Sequence, residues 1–496
     1  MLRHFLPRFA VGGAAALALQ LSLQADVRLH ALFTDHMVLQ QGKPVPVWGY
    51  ADHGEAVTVE FGGQKVKTVA TEGRWMVKLG KLKASAEPAV LRVTGKNSLE
   101  VKDVLVGEVW VCSGQSNMEW PLNRSDKSEA AIAAAANPNI RLFTVPKLRS
   151  PTPVEDIKSQ WTECNPETVK NFTAVGYFFG RDLQKSLNVP IGLIHTSWGG
   201  SPAEVWMSDD VLKTNPSYRR DIVDGYFASF QNWAKTRQGF PPWRPSELYN
   251  GMINPLLPAA IAGAIWYQGE SNAGRAWQYR DLFSDMIRNW RRDFKQGDFP
   301  FFCVQLAPWD KNKKRSIEEI TKEPVESDWA ELREAQDYAA KTLRKVGVAV
   351  ITDVGDKDDI HPTKKEPVGG RLALLARKVA YGENVVKTGP TFRKTMRAKN
   401  KIAVYFDNVG KGLGVEGDTI TGFAVAGEDR KWHWATATID KERKNRVWVS
   451  SPDVPSPIAV RYGWADYPVV NLKNSEGLPA SPFRSDWWPA ITRNNR

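Results

Sequence analysis

The feature that most constrains the fold is a change of rhythm near Val104. From there to Gly382, continuous apolar runs, "VLVGEVWVC", "IGLIH", "AIAGAIWY", "FFCVQLA" and "VGVAVIT", alternate with helix-like stretches such as "AVGYFFGRDLQKSL", "YRDLFSDMIRNWRRDF" and "WAELREAQDYAAKTL". A strand that is apolar at every position must be covered on both faces, and amphipathic helices between such strands supply the cover. The pattern predicts an α/β domain built on a parallel sheet. Such a sheet collects its chemistry at one edge, because ligands bind beyond the carboxyl ends of the strands, where loops converge and helix N-termini aim their N–H groups inward.

The flanks read differently. From Asp26 to Asp103, short runs such as "VPVWGY", "AVTVEFGG" and "AVLRVTG" alternate apolar and polar residues between Gly, Pro and Asp, and predict a small β-sandwich; "KIAVYF", "ITGFAVAG" and "IAVRYGWA" after Thr388 predict a second β-domain. The expected organisation is therefore 1–25, 26–103, 104–385 and 386–496. The first segment has Arg3 and Arg8, then an apolar run rich in Ala and Leu, then Ala25 before Asp26, which is the pattern of a secretory signal. Export to the periplasm or medium is the expectation, with no membrane contact once the signal is cut. The net charge of +12 comes from 67 Lys+Arg against 55 Asp+Glu scattered along the chain, which describes a basic surface and not a nucleic-acid module. Three cysteines permit at most one bridge, and Cys112 and Cys303 stand in apolar runs where a cysteine is a small buried hydrophobe. Neither HxxxH nor CxxC spacing occurs, so nothing implies a metal or other cofactor.

Four of the five strand ends carry small polar residues or glycine: "SGQSN", "TSWGGSPAEVW", "QGESNAG" and "DVGDKDDIHP". Ser116 lacks the second glycine of a G-x-S-x-G elbow. A serine nucleophile needs an imidazole base within reach and a carboxylate to orient it, and Asp358-Asp359-Ile360-His361 offers both at another strand end of the same sheet. Among Asp353, Asp356, Asp358 and Asp359, Asp358 is the expected partner, because one turn-like bend puts residues three apart on one side. A tetrahedral intermediate also needs N–H donors. Gly199 and Gly200 present backbone without side chains, and Gln268 and Asn272 present side-chain amides.

Ser116 in "GQSNM", Gly200 in "SWGGSP", Gln268 in "WYQGES" and the Asp358/His361 pair ending in "DIHP" together resemble the SGNH-hydrolase superfamily, in its sialate O-acetylesterase branch. The likeness extends to the amino-terminal "LFTDHMVLQQGKPVPVWGYADHGEAVTV" and the carboxyl-terminal "AVRYGWADYPVVNLKNSEGLPASPFRSD". It implies a flavodoxin-like domain, no metal, and hydrolysis of acetyl esters on an O-acetylated sugar or glycan. Ser116 would be the nucleophile, His361 the base and Asp358 its orienting acid. The N–H groups of Ser116 and Gly200 and the Gln268 amide would form the oxyanion hole, while Gln115, Asn117, Trp198, Glu270 and Asn272 would contact substrate. Trp120, Trp206 and Trp266 also lie beside these motifs and offer flat surfaces to a sugar ring or to the core. One departure stands out: where the superfamily has G-x-N-D, this chain has Gln268-Gly269-Glu270, which leaves the third donor open. Acetylated xylan is an alternative substrate within the same chemistry, and a non-catalytic carbohydrate-binding protein is an alternative outside it.

Overall fold

The structure, a computed structural model, describes residues 26–312 and 314–496, so the segment read as a secretory signal lies outside the described residues. The central sheet holds β1 (Ser98–Gly114), β2 (Asn137–Thr144), β3 (Trp161–Cys164), β4 (Ile191–Ser197), β5 (Gly263–Tyr267), β6 (Phe301–Val304) and β7 (Val346–Ala349), in the order β3-β2-β4-β1-β5-β6-β7. Every pair is parallel except β3 with β2, which is antiparallel. The five apolar runs named above are β1, β4, β5, β6 and β7, and their spatial order, counted by chain position, is 2-1-3-4-5, as in the flavodoxin-like arrangement. The switch point lies beside β1, so the loops after β1, β4 and β5 meet at one edge.

Both faces of this sheet are covered. Alternate residues of β1 supply the two cores: Trp110 and Cys112 join Leu193, Ile265 and Phe302 under α2 (Ala174–Leu187) and α5 (Glu366–Val379), represented by Phe179 and Leu372. Val109 and Val111 join Ile194, Trp266 and Phe301 under α3 (Ala276–Phe294) and α4 (Asp328–Thr342), represented by Phe283, Trp290 and Leu332. Cys112 and Cys303 therefore lie on opposite faces. All three cysteines are buried free thiols, and burial pushes the Cys164 thiol up to about 12.

The expected border between residues 103 and 104 falls inside β1. This strand pairs with Ser85–Thr94 from Ser98 as far as Val106; up to Lys102 it alternates more exposed with less exposed residues, and from Val104 to Gly114 every residue is buried. Asp103, at φ +54°, turns the chain where the pattern changes, and its carboxylate accepts from Arg141 at 2.5 and 3.2 Å and from His36 Nδ1 at 2.6 Å. The amino-terminal β-region thus continues directly into the central sheet. Beyond residue 390, two four-stranded antiparallel sheets enclose a core of Ile402, Val404, Phe406, Val425, Val447, Val460 and Tyr462. Arg333 of α4 ties this region to the central domain by donating to the carbonyls of Ala465 and Asp466 at 2.6 and 2.8 Å.

Candidate active site

The stretch "VCSGQSNMEW" is polar in its middle because the chain there leaves the sheet. Gly114 takes φ +139°, and a Cβ at this position would lie 2.2 Å from the Tyr267 carbonyl oxygen, so only glycine lets β1 and β5 end side by side. Gln115 N–H donates to that oxygen at 2.9 Å, and the short helix α1 (Ser116–Glu119) begins at the next residue. Met118 turns back into the core, fully buried. Ser116 is left at the first helical position, at the carboxyl end of the central strand.

His361 comes from the loop after β7 and reaches across the strand ends, with Nε2 2.8 Å from Ser116 Oγ. Its ring lies on the Trp120 indole, centroids 5.3 Å apart and planes 19° from parallel. Trp120 follows Ser116 by four residues, so one turn of chain supplies both the hydroxyl and the surface that holds the imidazole plane. Half-burial of His361 holds its pKa below the usual histidine value; Asp359 opposes that shift, while Lys365 and Arg124 add to it.

The carboxylate beside the imidazole is not that of Asp358. Asp359 Oδ1 lies 3.6 Å from His361 Nδ1 and accepts the His361 backbone N–H at 2.9 Å, whereas Asp358 points to solvent and pairs with Lys357 Nζ at 2.5 Å. The physical reason is the type of bend. Asp356 Oδ1 accepts the N–H groups of Asp358 and Asp359 at 2.9 and 3.2 Å, and Asp359 then does the same for His361, so the loop is a succession of Asx turns in place of one helical turn. Residues two apart then face each other, and the expectation based on a spacing of three is corrected.

Gly199 and Gly200 follow β4 beside the serine. A Cβ on Gly199 would stand 3.3 Å from Ser116 Cβ, and its N–H is taken by Glu119 Oε2 at 2.7 Å. Glu119 is itself paired with Lys147 at 2.5 Å. Gly200, at φ +73° and exposed, has an N–H with no acceptor among the described residues, and the same holds for Ser116 N–H.

Gln268 does not supply a free amide. It is fully buried, its Nε2 donates to Asn272 Oδ1 at 2.7 Å and Ser201 O at 3.3 Å, and its Oε1 accepts from Tyr279 at 2.9 Å. Asn272 is equally committed, accepting from Ala203 N–H at 2.9 Å and donating to Glu204 at 2.9 Å. These two amides brace the loop carrying Gly199 and Gly200 from below, and both expected contacts with the reacting group are corrected on that account. Asn117 is likewise buried and satisfied by protein: it donates to Glu270 Oε1 at 2.8 Å and Ile360 O at 3.0 Å and accepts from Lys365 at 2.5 Å. Asn117 and Glu270 therefore lie in the support under the site, not on its substrate face. Gln115, also buried, accepts from Gly269 N–H at 3.3 Å. Trp206 and Trp266 are fully buried core residues. Trp198 remains half-buried, edge-on to Trp243 with Lys147 above it.

Glu119, the stacking role of Trp120 and the buried Lys365 were not singled out by the motifs; the spacing of Glu119 and Trp120, three and four residues after the serine, is the signal that could have found two of them. The only group of His, Asp and Glu among the described residues that is close enough to hold a cation, His36, Asp103 and Glu163, lies near the opposite end of β1 and already surrounds the Arg141 guanidinium.

Comparison with known proteins bears on this geometry. Residues 106–373 match the family described as SASA, carbohydrate esterase, sialic acid-specific acetylesterase. The sialate O-acetylesterase of Homo sapiens is 30% identical, with 96% of each chain covered, and that of Mus musculus is 29% identical, covering 92% of this chain and 94% of the relative. Among solved structures, a carbohydrate acetylesterase from Xanthomonas citri is 40% identical, covers 93% of this chain and all of that one, and superposes with a TM-score of 0.82.

Proposed function

This chain belongs to the sialic acid-specific acetylesterase family of carbohydrate esterases and is a carbohydrate O-acetylesterase, and we propose that it works through an acetyl-enzyme on Ser116 with His361 as the base. The observation that carries this reading is the 2.8 Å contact between Ser116 Oγ and His361 Nε2 at the switch point of the sheet. Oγ attacks the acetyl carbonyl as its proton passes to Nε2. The tetrahedral intermediate collapses when Nε2 returns that proton to the departing sugar oxygen, leaving acetate esterified to Ser116. A water molecule then attacks, giving its proton to the same nitrogen; the carbon–Oγ bond breaks, acetate leaves and Ser116 is reprotonated. Asp359 stabilises the imidazolium formed in both halves. The N–H groups of Ser116 and Gly200 face the developing oxyanion, each such donor being worth about 3–4 kcal/mol in comparable hydrolases.

The acceptor sugar is acidic in this reading. Arg124, exposed and without a carboxylate partner among the described residues, lies 4.2 Å over the Trp120 ring, the same ring that stacks on His361. A guanidinium fixed on an indole beside the nucleophile suits the carboxylate of a sialic acid. Acetate release from O-acetylated sialic acid and from acetylated xylan, measured in parallel, tests this. A higher kcat/KM on the sialic acid is expected; preference for the xylan would move the enzyme to neutral polysaccharides.

The pH dependence follows from the base. Only neutral imidazole accepts the serine proton, so activity falls as pH drops through the His361 pKa, which burial sets below the usual 6.5. The acid limb of kcat/KM is expected to have its midpoint below that value. A midpoint above it would take His361 out of the role of base.

A further inference from the structure

Beneath the Ser116–His361 pair lies a buried polar unit that the acyl-transfer chemistry does not use. Lys365, at 1% exposure, sits just before α5 and four residues after His361, and its Nζ donates to Asn117 Oδ1 at 2.5 Å. Asn117 is the residue after the nucleophile. Its amide nitrogen donates to Glu270 Oε1, from the loop after β5, and to the carbonyl of Ile360, the residue before His361. Glu270 Oε2 has no partner among the described residues although it is buried. Three strand-end loops therefore meet on one amide.

We propose that Lys365 and Glu270 are positioning residues that fix the orientation of the Asn117 amide, and that this amide in turn clasps the His361 loop to the nucleophile turn. The argument is one of donor and acceptor counting. A lysine side chain offers only hydrogens to Oδ1 while protonated, and a carboxylate offers only lone pairs to Nδ2, so the two flank the amide with opposite demands. With Oδ1 held by Lys365, both Nδ2 hydrogens are directed to Glu270 and to Ile360 O. A flipped amide would set NH2 against ammonium and oxygen against both a carboxylate and a carbonyl. Burying a lysine and a carboxyl group is costly, and the hydrogen bonds that each makes to this one side chain offset part of that cost. The charges also reach the base. Lys365 faces Glu270 and Asp359, and burial brings its pKa down to about 7; His361 faces Lys365, Asp359 and Arg124. A positive Lys365 favours neutral imidazole, the form that accepts the serine proton.

The inference rests on the acetyl-enzyme reading, and its test separates the two. Lys365→Met and Glu270→Met, which remove the donor and the acceptor that flank Asn117 with little change in volume, are assayed on p-nitrophenyl acetate. Rates are normalised to active sites counted by the burst of p-nitrophenol, or by phosphonylation where no burst is seen. Each substitution is expected to lower kcat by about 10- to 100-fold with KM changed less than about threefold, the size of effect that a small misplacement of a reacting group produces. Lys365→Met is also expected to move the acid limb of kcat/KM to higher pH, since a positive charge near His361 is gone. Because both act through one amide, the double variant should lose no more than the worse single. Asn117→Asp, which keeps the Lys365 contact but turns an oxygen toward Ile360 O, supplies a third variant should either of the others fold poorly, and should show the same kcat loss. Unchanged kcat per titrated site, losses that multiply in the double variant, or an acid limb that stays in place would each overturn the proposal. If Ser116→Ala remains active, the acetyl-enzyme reading itself falls; if Ser116→Ala is dead while Lys365→Met is normal, only this inference falls.

Discussion

Replacing Ser116 with alanine is expected to lower kcat on an acetyl ester by about 10⁶-fold, the loss seen when the nucleophile of a serine hydrolase is removed while the remaining machinery stays. Among the described residues Ser116 Oγ has one partner, His361, so its removal strands no buried polar atom there and the fold should persist. Binding of the acetylated sugar should persist too, since the rim around Trp120 and Trp198 is untouched. The measurement is hydrolysis of p-nitrophenyl acetate together with acetate release from an O-acetylated sugar, with circular dichroism as the control for folding. A residual rate within tenfold of the native enzyme would sink the acetyl-enzyme route. Equal and negligible rates for both proteins would instead favour a carbohydrate-binding protein that keeps the fold without the turnover.

Five strands of the central sheet were readable from sequence because burial on both faces makes β5, β6 and β7 wholly apolar and leaves long apolar runs in β1 and β4, broken only by residues such as Glu108, Ser113 and His195. The edge was not. β2, "NPNIRLFT", mixes Asn, Pro and Arg with its apolar residues, and β3 is only four residues long, so neither has the continuous apolar signature of an interior strand. Ser116 and His361 could be found because strand ends in a parallel sheet form a single edge, so two chemically suggestive loops far apart in sequence had to be neighbours. What the sequence could not separate was polar residues facing the ligand from polar residues satisfied inside. Gln268, Asn272, Asn117 and Glu270 stand in the loops that carry the chemistry, yet they bond other protein groups: Gln268 to Asn272 within one loop, Asn272 to Glu204 in another, and Asn117 to Glu270 across two. Lys365 in "TKKEP" looks like solvated surface, and only the tertiary structure shows which of the two adjacent lysines points inward. Long-range hydrogen bonding leaves no local periodicity to read.

The acid beside His361 provides the sharpest test of what that loop does. Asp359→Asn is expected to reduce kcat by about 10²- to 10⁴-fold, and Asp358→Asn to leave it within about threefold. The upper bound comes from the serine-protease case, where an asparagine in place of the orienting aspartate stabilises the wrong imidazole tautomer. Here the Oδ1 nearest Nδ1 also accepts the His361 backbone N–H, so asparagine would keep an oxygen beside the ring but lose the charge that stabilises the imidazolium. The lower bound reflects the 3.6 Å separation and the exposure of Asp359, both of which weaken its hold on the ring relative to a buried carboxylate. Asparagine keeps the Oδ1 that accepts the His361 backbone N–H, so the Asx turn and the fold should survive. A shift in pH dependence accompanies the loss. Asp359 raises the His361 pKa against burial, so its neutralisation should move the acid limb of kcat/KM to lower pH, opposite to the movement expected for Lys365→Met. Four single Asp→Asn variants, at 353, 356, 358 and 359, assayed on one ester across pH 4 to 8, make the comparison complete. Asp353 is engaged with Arg371 at 2.5 Å and Asp356 with the turn N–H groups, so their losses should appear in thermal stability before they appear in turnover. Should Asp358→Asn be the crippled variant while Asp359→Asn turns over normally, the Asx-turn geometry would not be the one the working enzyme uses, and the loop would have to close into the helical bend that places Asp358 against the ring.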